Sequence, residues 1–362
     1  MEYFMYPVIK DDYSLFRAMI DDLVHQSSNL YRPGPYWDQK VKNTISEIEK
    51  CGIKDFRGSS SLVGLSYADN LTVDIRNSYN YGLRKIVRLA TKLYPFNVLY
   101  DSQVELTRNY AVESIRKSQE ILNKNSRVKE LLEKYEVPYS LLGGCLQAVN
   151  INGCDYSIHY LNLLEQHDNI AAYIPFYMAR TVFEIGGGFG VNIHLLIENY
   201  PNIRKVIYLD IPPNLYVGTQ YLKAFYGEAV YDYSKLKNKG CISFSDTDDL
   251  EIFCIAPWQI EKLEAQVDIF INAHSFVEMP KSVVSNYAQH VMRLLSLEKS
   301  SIALVSYDGF DLTTTFNPDD LPEFFSGKKF EHFEHDGLLD SSLQNLYYIS
   351  VENNLVGETN SK

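Results

Sequence analysis

The residues best suited to chemistry lie at the ends of short apolar runs. The stretch Glu184-Ile-Gly186-Gly187-Gly188-Phe-Gly190 follows one such run, 182–185, and precedes a helical pattern that reaches about residue 200. Glycines between a strand and a helix let the backbone turn tightly and approach a ligand, and the first helical turn offers free N–H groups to it. The next run, 205–209, leads into Asp210, twenty residues beyond Gly190. A carboxylate at that strand tip suits the hydroxyls of a ribose. The expected ligand is an adenosine-type cofactor lying at the carboxyl ends of the strands. The alternative is a tight strand-to-helix turn that holds no ligand.

The spacing discriminates between cofactors. A dinucleotide fingerprint, GxGxxG/A, needs a third small residue where this chain has Val191. The glycines instead follow GxGxG, and Glu184 stands two positions before the first of them. A carboxylate there repels a pyrophosphate and suits a cationic amine, which favours S-adenosylmethionine (SAM) over NAD. A Walker A loop is excluded because no GK[ST] follows.

These residues need a scaffold. Runs at 252–255, 267–272 and 302–306 read as further buried strands, and 215–226 reads as a helix. Strands alternating with helices predict an α/β fold with a parallel sheet covered on both faces. Residues 328–333 and 344–351 have no room for a helix between them, so they should pair as an antiparallel hairpin. Before about residue 180, helical patterns dominate. Residues 11–30 carry Leu15, Met19, Leu23 and Val24, and Arg32-Pro33-Gly34-Pro35 breaks the pattern. Residues 36–50 place Trp37, Val41, Ile45 and Ile48 at helical spacing. Residues 102–135 and 156–166 read as helical, 56–70 as a Gly/Ser-rich loop, and Gly143-Gly144 and Asn152-Gly153 as turns. With 362 residues, roughly two domains are expected: a helical N-terminal domain over 1–150 and a cofactor-binding Rossmann-like domain over 151–362.

The motif Glu184, Gly186, Gly188, Gly190 with Asp210 resembles that of the class I SAM-dependent methyltransferases, over about residues 175–352. That resemblance implies a seven-stranded sheet ending in a hairpin with one antiparallel strand, and SAM as cofactor. A narrower likeness, to the bacterial sugar O-methyltransferase family associated with polysaccharide biosynthesis, is carried by EIGGGFG, LDIPPNLYVGTQYL, INAHSFVEM, LYRPGPYWDQ and FRG. It implies methyl transfer to a sugar hydroxyl. A hydroxyl is a poor nucleophile while protonated, so a base should stand near the methyl group.

In the family's fold the tip of strand 267–272 faces the methyl donor, which makes His274 and Glu278 the leading candidates: His274 as proton acceptor, Glu278 to orient it. They share a face only if the segment is helical. The structural alternatives are a histidine tied to a backbone carbonyl and an acid favoured by a helix N-terminus. Asp308 is a secondary candidate, as base or substrate ligand, with a turn role before Gly309 as the alternative. The resemblance implies that the loop carrying Trp258 borders the adenine, with Trp258 stacking on it and Ile211 as an apolar wall; ordinary packing is the alternative for each. Asn272 is a cofactor neighbour by position. Arg57, Gly58, Ser59, Ser60 and Tyr67 are expected near an acceptor cleft between the domains. Histidine and acid residues at 332–336 lack the HEXXH order and read as a solvated edge strand; no metal ligands are assigned.

Composition bounds the rest. Acids outnumber bases by 46 to 34, a net charge of −12, so nucleic acid is not an expected partner. No apolar run approaches the ~18 residues that cross a bilayer. The odd count of five cysteines, without CxxC, reads as reduced thiols, and no basic leader precedes an apolar stretch. A cytoplasmic enzyme with a sugar or glycan acceptor is expected; monomer and homo-oligomer are both open. The competing readings are a methyltransferase for another small molecule, a non-catalytic SAM-binding protein and, disfavoured by Val191 and Glu184, an NAD-dependent oxidoreductase.

Overall fold

The computed structural model describes residues 7–58, 112, 115–136, 141–296, 300–307, 317–338 and 344–351. Among them, α1 (Tyr13–His25) ends five residues before the expected 30, because Gln26 turns extended, and α2 (Pro35–Cys51) starts at the Pro/Gly break, with Pro35 in its first turn. Next come α3 (Ser126–Lys134), a hairpin of β1 (Ala148–Ile151) and β2 (Cys154–Ser157), and α4 (Ile158–Ala171). The alternating part follows: β3 (Thr181–Ile185), α5 (Val191–Asn199), β4 (Lys205–Leu209), α6 (Pro212–Tyr226), β5 (Val230–Tyr231), α7 (Tyr233–Leu236), β6 (Glu251–Ile255), β7 (Ile269–Ala273), α8 (Lys281–Leu294) and β8 (Ser301–Tyr307). β9 (Glu331–Asp336) and β10 (Gln344–Val351) close the sheet.

The sheet order is β5-β6-β4-β3-β7-β8-β10-β9. The pairs from β5 to β8 are parallel, and β10 runs antiparallel to both β8 and β9. This is the expected α/β, Rossmann-like sheet with a terminal hairpin, but it has eight strands rather than seven. The extra edge strand, β5, is two residues long, too short for any periodicity to announce it. It is fixed by burial of Val230 and by an edge-to-face contact of Tyr231 with Phe253 at 5.3 Å. β9 starts three residues later than expected. Gly327 has φ +82 and Lys328 bonds back to Phe325, so a turn consumes those positions. The β1–β2 hairpin was expected only as its turn; Asn152 and Gly153 both have positive φ, the two-residue geometry that a tight hairpin favours.

Strand parity sorts the core. Val182, Val206, Tyr208, Ile252, Cys254, Ile271 and Val305 pack on one face; Phe183, Ile207, Leu209, Phe253, Phe270 and Leu304 pack on the other. The N-terminal segment contributes to both. Leu15, Phe16 and Met19 of α1, with Ile48 and Phe56, join the first face, where α1 lies on α6. Tyr31, between α1 and α2, joins the second and donates its hydroxyl to Glu261 at 2.7 Å. The chain therefore passes from one side of the sheet to the other. Gly34 lies against Pro280 beyond the carboxyl end of β7. The expected division at 150 falls inside β1.

Gly218 on α6 makes room for Tyr208. A Cβ at Gly218 would fall 2.3 Å from the tyrosine hydroxyl, which is fully buried. Gly218→Ala is expected to destabilise the fold by about 1–3 kcal/mol through overpacking, measured by urea unfolding followed by circular dichroism.

Candidate functional site

The glycine turn lies between β3 and α5. Gly186, Gly188 and Gly190 have φ of 76°, 62° and 82°, a region costly for any residue with a Cβ. Space excludes one as well: a Cβ on Gly186 would lie 2.2 Å from the Ser275 hydroxyl. Phe189, between them, is fully buried and packs edge-on against Phe56 and Tyr221, with the Arg57 guanidinium 5.1 Å from its ring centroid. Val191, where a dinucleotide fingerprint would need a small residue, is buried in the core.

Three consecutive groups at the end of β4 hold this turn. The Tyr208 hydroxyl donates to the Gly188 carbonyl at 2.5 Å, the Leu209 carbonyl accepts from Gly186 N–H at 2.8 Å, and Asp210 Oδ2 accepts from Gly188 N–H at 3.0 Å. Asp210 Oδ1 accepts from Ile211 N–H and Asn214. A carboxylate has about four acceptor sites, so Asp210 keeps capacity for a further donor. Burial pushes its carboxyl up to about 7.

Glu184, at 2% exposure, accepts from Asn192 Nδ2 at 2.7 Å through Oε1. Its Oε2 has no hydrogen-bond partner among the described residues and faces Gly187, where a Cβ would approach it to 2.3 Å. Burial pushes Glu184 up to about 7 as well, opposed by the Asn192 bond. A buried acceptor without a donor is expensive, and a cation beside it would offset that cost. Asn192 was not anticipated; its signal is a short amide in the first turn of the helix that follows the glycines.

Asn272 bonds through its amide to the Ile185 carbonyl and the Ser275 hydroxyl, and its carbonyl takes the Phe276 N–H. Its hydrogen bonds thus join the end of β3 to the turn after β7. Ile211 precedes the first turn of α6. Trp258 is half-buried and donates its indole N–H to the Tyr233 hydroxyl at 3.2 Å, with the rings edge to face.

Beyond β7 the chain does not form the helix that would set His274 beside Glu278. His274 has φ +66, and only Phe276–Glu278 make a short 3-10 turn. A non-glycine residue at such a φ carries strain, a feature concentrated at functional sites. His274 N–H bonds to the Val305 carbonyl at 2.7 Å, and its ring stacks on Tyr307 with centroids 5.2 Å apart. Its Nε2 lies 3.4 Å from the Gln166 amide nitrogen. Burial drives the imidazole down to about 4, so it is neutral at neutral pH.

Glu278, at 2% exposure, accepts from Trp37 Nε1 at 2.7 Å and from the Tyr307 hydroxyl at 2.9 Å. Burial raises it to about 7 against those bonds and the nearby Lys40 ammonium. Lys40 Nζ sits 3.6 Å above the Tyr36 ring. His159, driven down to about 3 by burial and by Arg57, also lies near His274. Arg57 donates to Ser157 and to the Leu142 carbonyl.

No protein-family model matches this chain, and no curated protein matches it. Among solved structures the chain is similar to the N-methyltransferase NodS from Bradyrhizobium japonicum WM9 in complex with S-adenosyl-L-homocysteine, at 11% identity over 52% of this chain and 85% of that one, TM-score 0.36. It is also similar to the mitomycin 7-O-methyltransferase MmcR (15%, 54% and 55%, 0.36). A third is human N-acetylserotonin methyltransferase in complex with SAM (11%, 53% and 55%, 0.34). The chain spans little more than half the length of the latter two.

Ser59, Ser60, Tyr67 and Asp308 lie outside the described residues. The 332–336 segment is, as expected, on the edge strand β9: His332 stacks on Tyr348 and Phe333 on Tyr347. Among the described residues no group of three or more His, Cys, Asp or Glu could hold a metal ion, and no helix is long and apolar enough to cross a membrane. Tyr307 and Trp37 escaped sequence reasoning. Tyr307 stands next to the more conspicuous Asp308, and Trp37 fits an apolar helical stripe.

The raised carboxyl of Glu184 has a consequence for stability. Its folded-state value lies above the ordinary 4.5, so its contribution is full below about 4.5 and is lost as pH rises through about 7. In denaturant titrations across that window, the stability of wild type relative to Glu184→Gln should fall by on the order of 1–3 kcal/mol. A constant difference would mean that Glu184 ionises normally in the folded protein.

Proposed function

We propose that this chain is a SAM-dependent O-methyltransferase whose acceptor is a sugar hydroxyl, with residues of the N-terminal helical region, 1–150, contributing to the acceptor site. The observation that carries the reading is the buried Glu184 carboxyl, one oxygen without a partner among the described residues, set behind a glycine turn held open by Asp210. A pyrophosphate would meet like charge there. An α-ammonium group would find its counter-ion. The remaining acceptor capacity of Asp210 suits a ribose hydroxyl. SAM would thus be held by Glu184, Asp210 and the backbone of Gly186–Gly190, walled by Ile211 and Trp258; when bound it supplies an activated methyl group.

The protein's own residues would do the rest. His274, neutral at neutral pH, accepts the acceptor hydroxyl's proton at an imidazole nitrogen. Glu278 sits beyond Tyr307, positioned to stabilise the charged imidazole through the stacked ring and its hydroxyl. The half-buried Trp37 ring and the Gln166 amide lie beside this assembly, a combination that suits the apolar face and hydroxyl rim of a sugar. The likeness to the bacterial sugar O-methyltransferase family extends the proposal to polysaccharide biosynthesis, with the cytoplasm as its place.

Calorimetric titration tests the reading. SAM should bind and NAD should not; binding of NAD alone would overturn it. SAM affinity should rise with proton release as pH passes about 7, because binding ionises Glu184, and fall again above about 8, where an α-amino group loses its proton. Glu184→Gln should weaken SAM at least about tenfold and reduce the acid limb to the part that Asp210, also raised to about 7, contributes. In methyl-transfer assays with nucleotide-linked and free sugars, His274→Ala should lower kcat by about 10²–10⁴ while S-adenosylhomocysteine affinity is kept. Undiminished turnover would remove His274 as the base.

A further inference from the structure

One side chain joins the two candidate groups of the acceptor site. His274 and Glu278 are not hydrogen-bonded partners; the Tyr307 ring stacks on the His274 imidazole, and the Tyr307 hydroxyl donates to Glu278 Oε1. On the opposite oxygen, Glu278 takes the indole N–H of Trp37, which belongs to α2 and lies 241 residues away in the chain. Both oxygens of one buried carboxyl are thus claimed by aromatic donors from different parts of the fold. Tyr307 is the last residue of β8, and the neighbouring Val305 carbonyl holds the His274 backbone in its left-handed conformation. β8 therefore fixes His274 twice, at its backbone and at its ring.

Resting on the methyltransferase reading, we propose that Tyr307 is the positioning residue of the reaction: it couples Glu278 to His274, and Trp37 completes the assembly by tying it to the N-terminal helix α2. Three consequences follow in physical terms. Tyr307 limits the imidazole to orientations near the stacked one, in which the two rings are inclined by 28°. A proton taken up by His274 meets the Glu278 carboxyl through a ring and a hydroxyl rather than by direct contact. Glu278 in turn can keep both of its hydrogen bonds only while α2 is docked on the turn after β7. Tyr36 and Lys40 of α2 also lie close enough to Glu278 to feel its charge.

The assembly can be read without turnover, because the chain has two tryptophans. Protein grown with 5-fluorotryptophan gives one fluorine signal for each, assigned with Trp258→Phe. The Trp37 signal should titrate with a midpoint near 7, reporting Glu278, and that titration should vanish in Glu278→Gln. Tyr307→Phe keeps the stacked ring and removes the donor, so it should move the midpoint upward. In the same samples the His274 ring protons should be shifted upfield in wild type and Tyr307→Phe and return towards ordinary values in Tyr307→Leu. With a sugar acceptor, kcat should drop about tenfold in Tyr307→Phe and about a hundredfold in Tyr307→Leu at unchanged KM and S-adenosylhomocysteine affinity. An unmoved Trp37 midpoint in Tyr307→Phe, or His274 shifts indifferent to Tyr307→Leu, overturns the coupling. Wild-type protein that methylates no sugar would overturn the acceptor reading instead, while the two spectroscopic measurements still decide the role of Tyr307.

Discussion

The hydrogen bond from Gly188 N–H to Asp210 Oδ2 is the constraint on which the candidate site depends. A turn with three residues at positive φ has few groups of its own to hold it, since its glycines carry no side chains. It must be fixed from outside. The end of β4 does this with three successive residues: a hydroxyl from Tyr208, a carbonyl from Leu209 and a carboxylate from Asp210. Parallel pairing of β3 with β4 in the observed register brings Ile185 level with Leu209, so the turn leaving β3 starts beside the groups that grip it. One strand register thereby sets the position of the glycine backbone, the acid at the neighbouring strand tip, and the space between them.

That arrangement is costly, and the costs are concentrated at one end of the sheet. Glu184, Asp210 and Glu278 are buried carboxyls, each raised to about 7 by loss of water. His274 is held in a backbone conformation that residues with a Cβ rarely adopt. At the opposite end, by contrast, the buried Lys205–Glu251 pair is matched: the ammonium meets the carboxylate at 2.6 Å, and Ser245 bonds the same oxygen. Local consistency is thus higher at the amino ends of the strands than at their carboxyl ends, where the candidate site lies.

Much of this was legible before the structure. The apolar centres 206–209 and 346–349 place β4 and β10 at the bounds expected from the sequence, because the middle of a strand buried on both faces has no reason to interrupt its apolar run. The glycine turn was legible because its backbone needs are met by few residue types. β5 was not, since two residues carry no period. The hairpin β1–β2 was visible only at Asn152-Gly153, because its strands, AVNI and CDYS, are short and partly exposed. The partners of Glu278 were illegible for a different reason. Trp37 and Tyr307 are ordinary aromatic residues in sequence, and they become donors to one carboxyl only through the meeting of α2, β8 and the turn after β7. Spacing reveals what one element can do; it does not reveal which distant elements converge.

The path of the N-terminal segment explains why that convergence is tight. Leu15, Phe16 and Met19 are buried in the core on one side of the sheet, and Tyr31 in the core on the other. A chain that serves both must pass the carboxyl edge, where the strand tips and their charged groups lie. Gly34 makes the passage close, since a Cβ there would sit 3.1 Å from the Pro280 ring. The two ends of the crossing are secured by packing and by the Tyr31–Glu261 bond, so Trp37 arrives at Glu278 with little freedom left to lose. Residues that stabilise the fold at 15–31 thus also determine how precisely Trp37 is held on the turn at 274–278, and a substitution that loosens the first would be expected to reach the second without touching it.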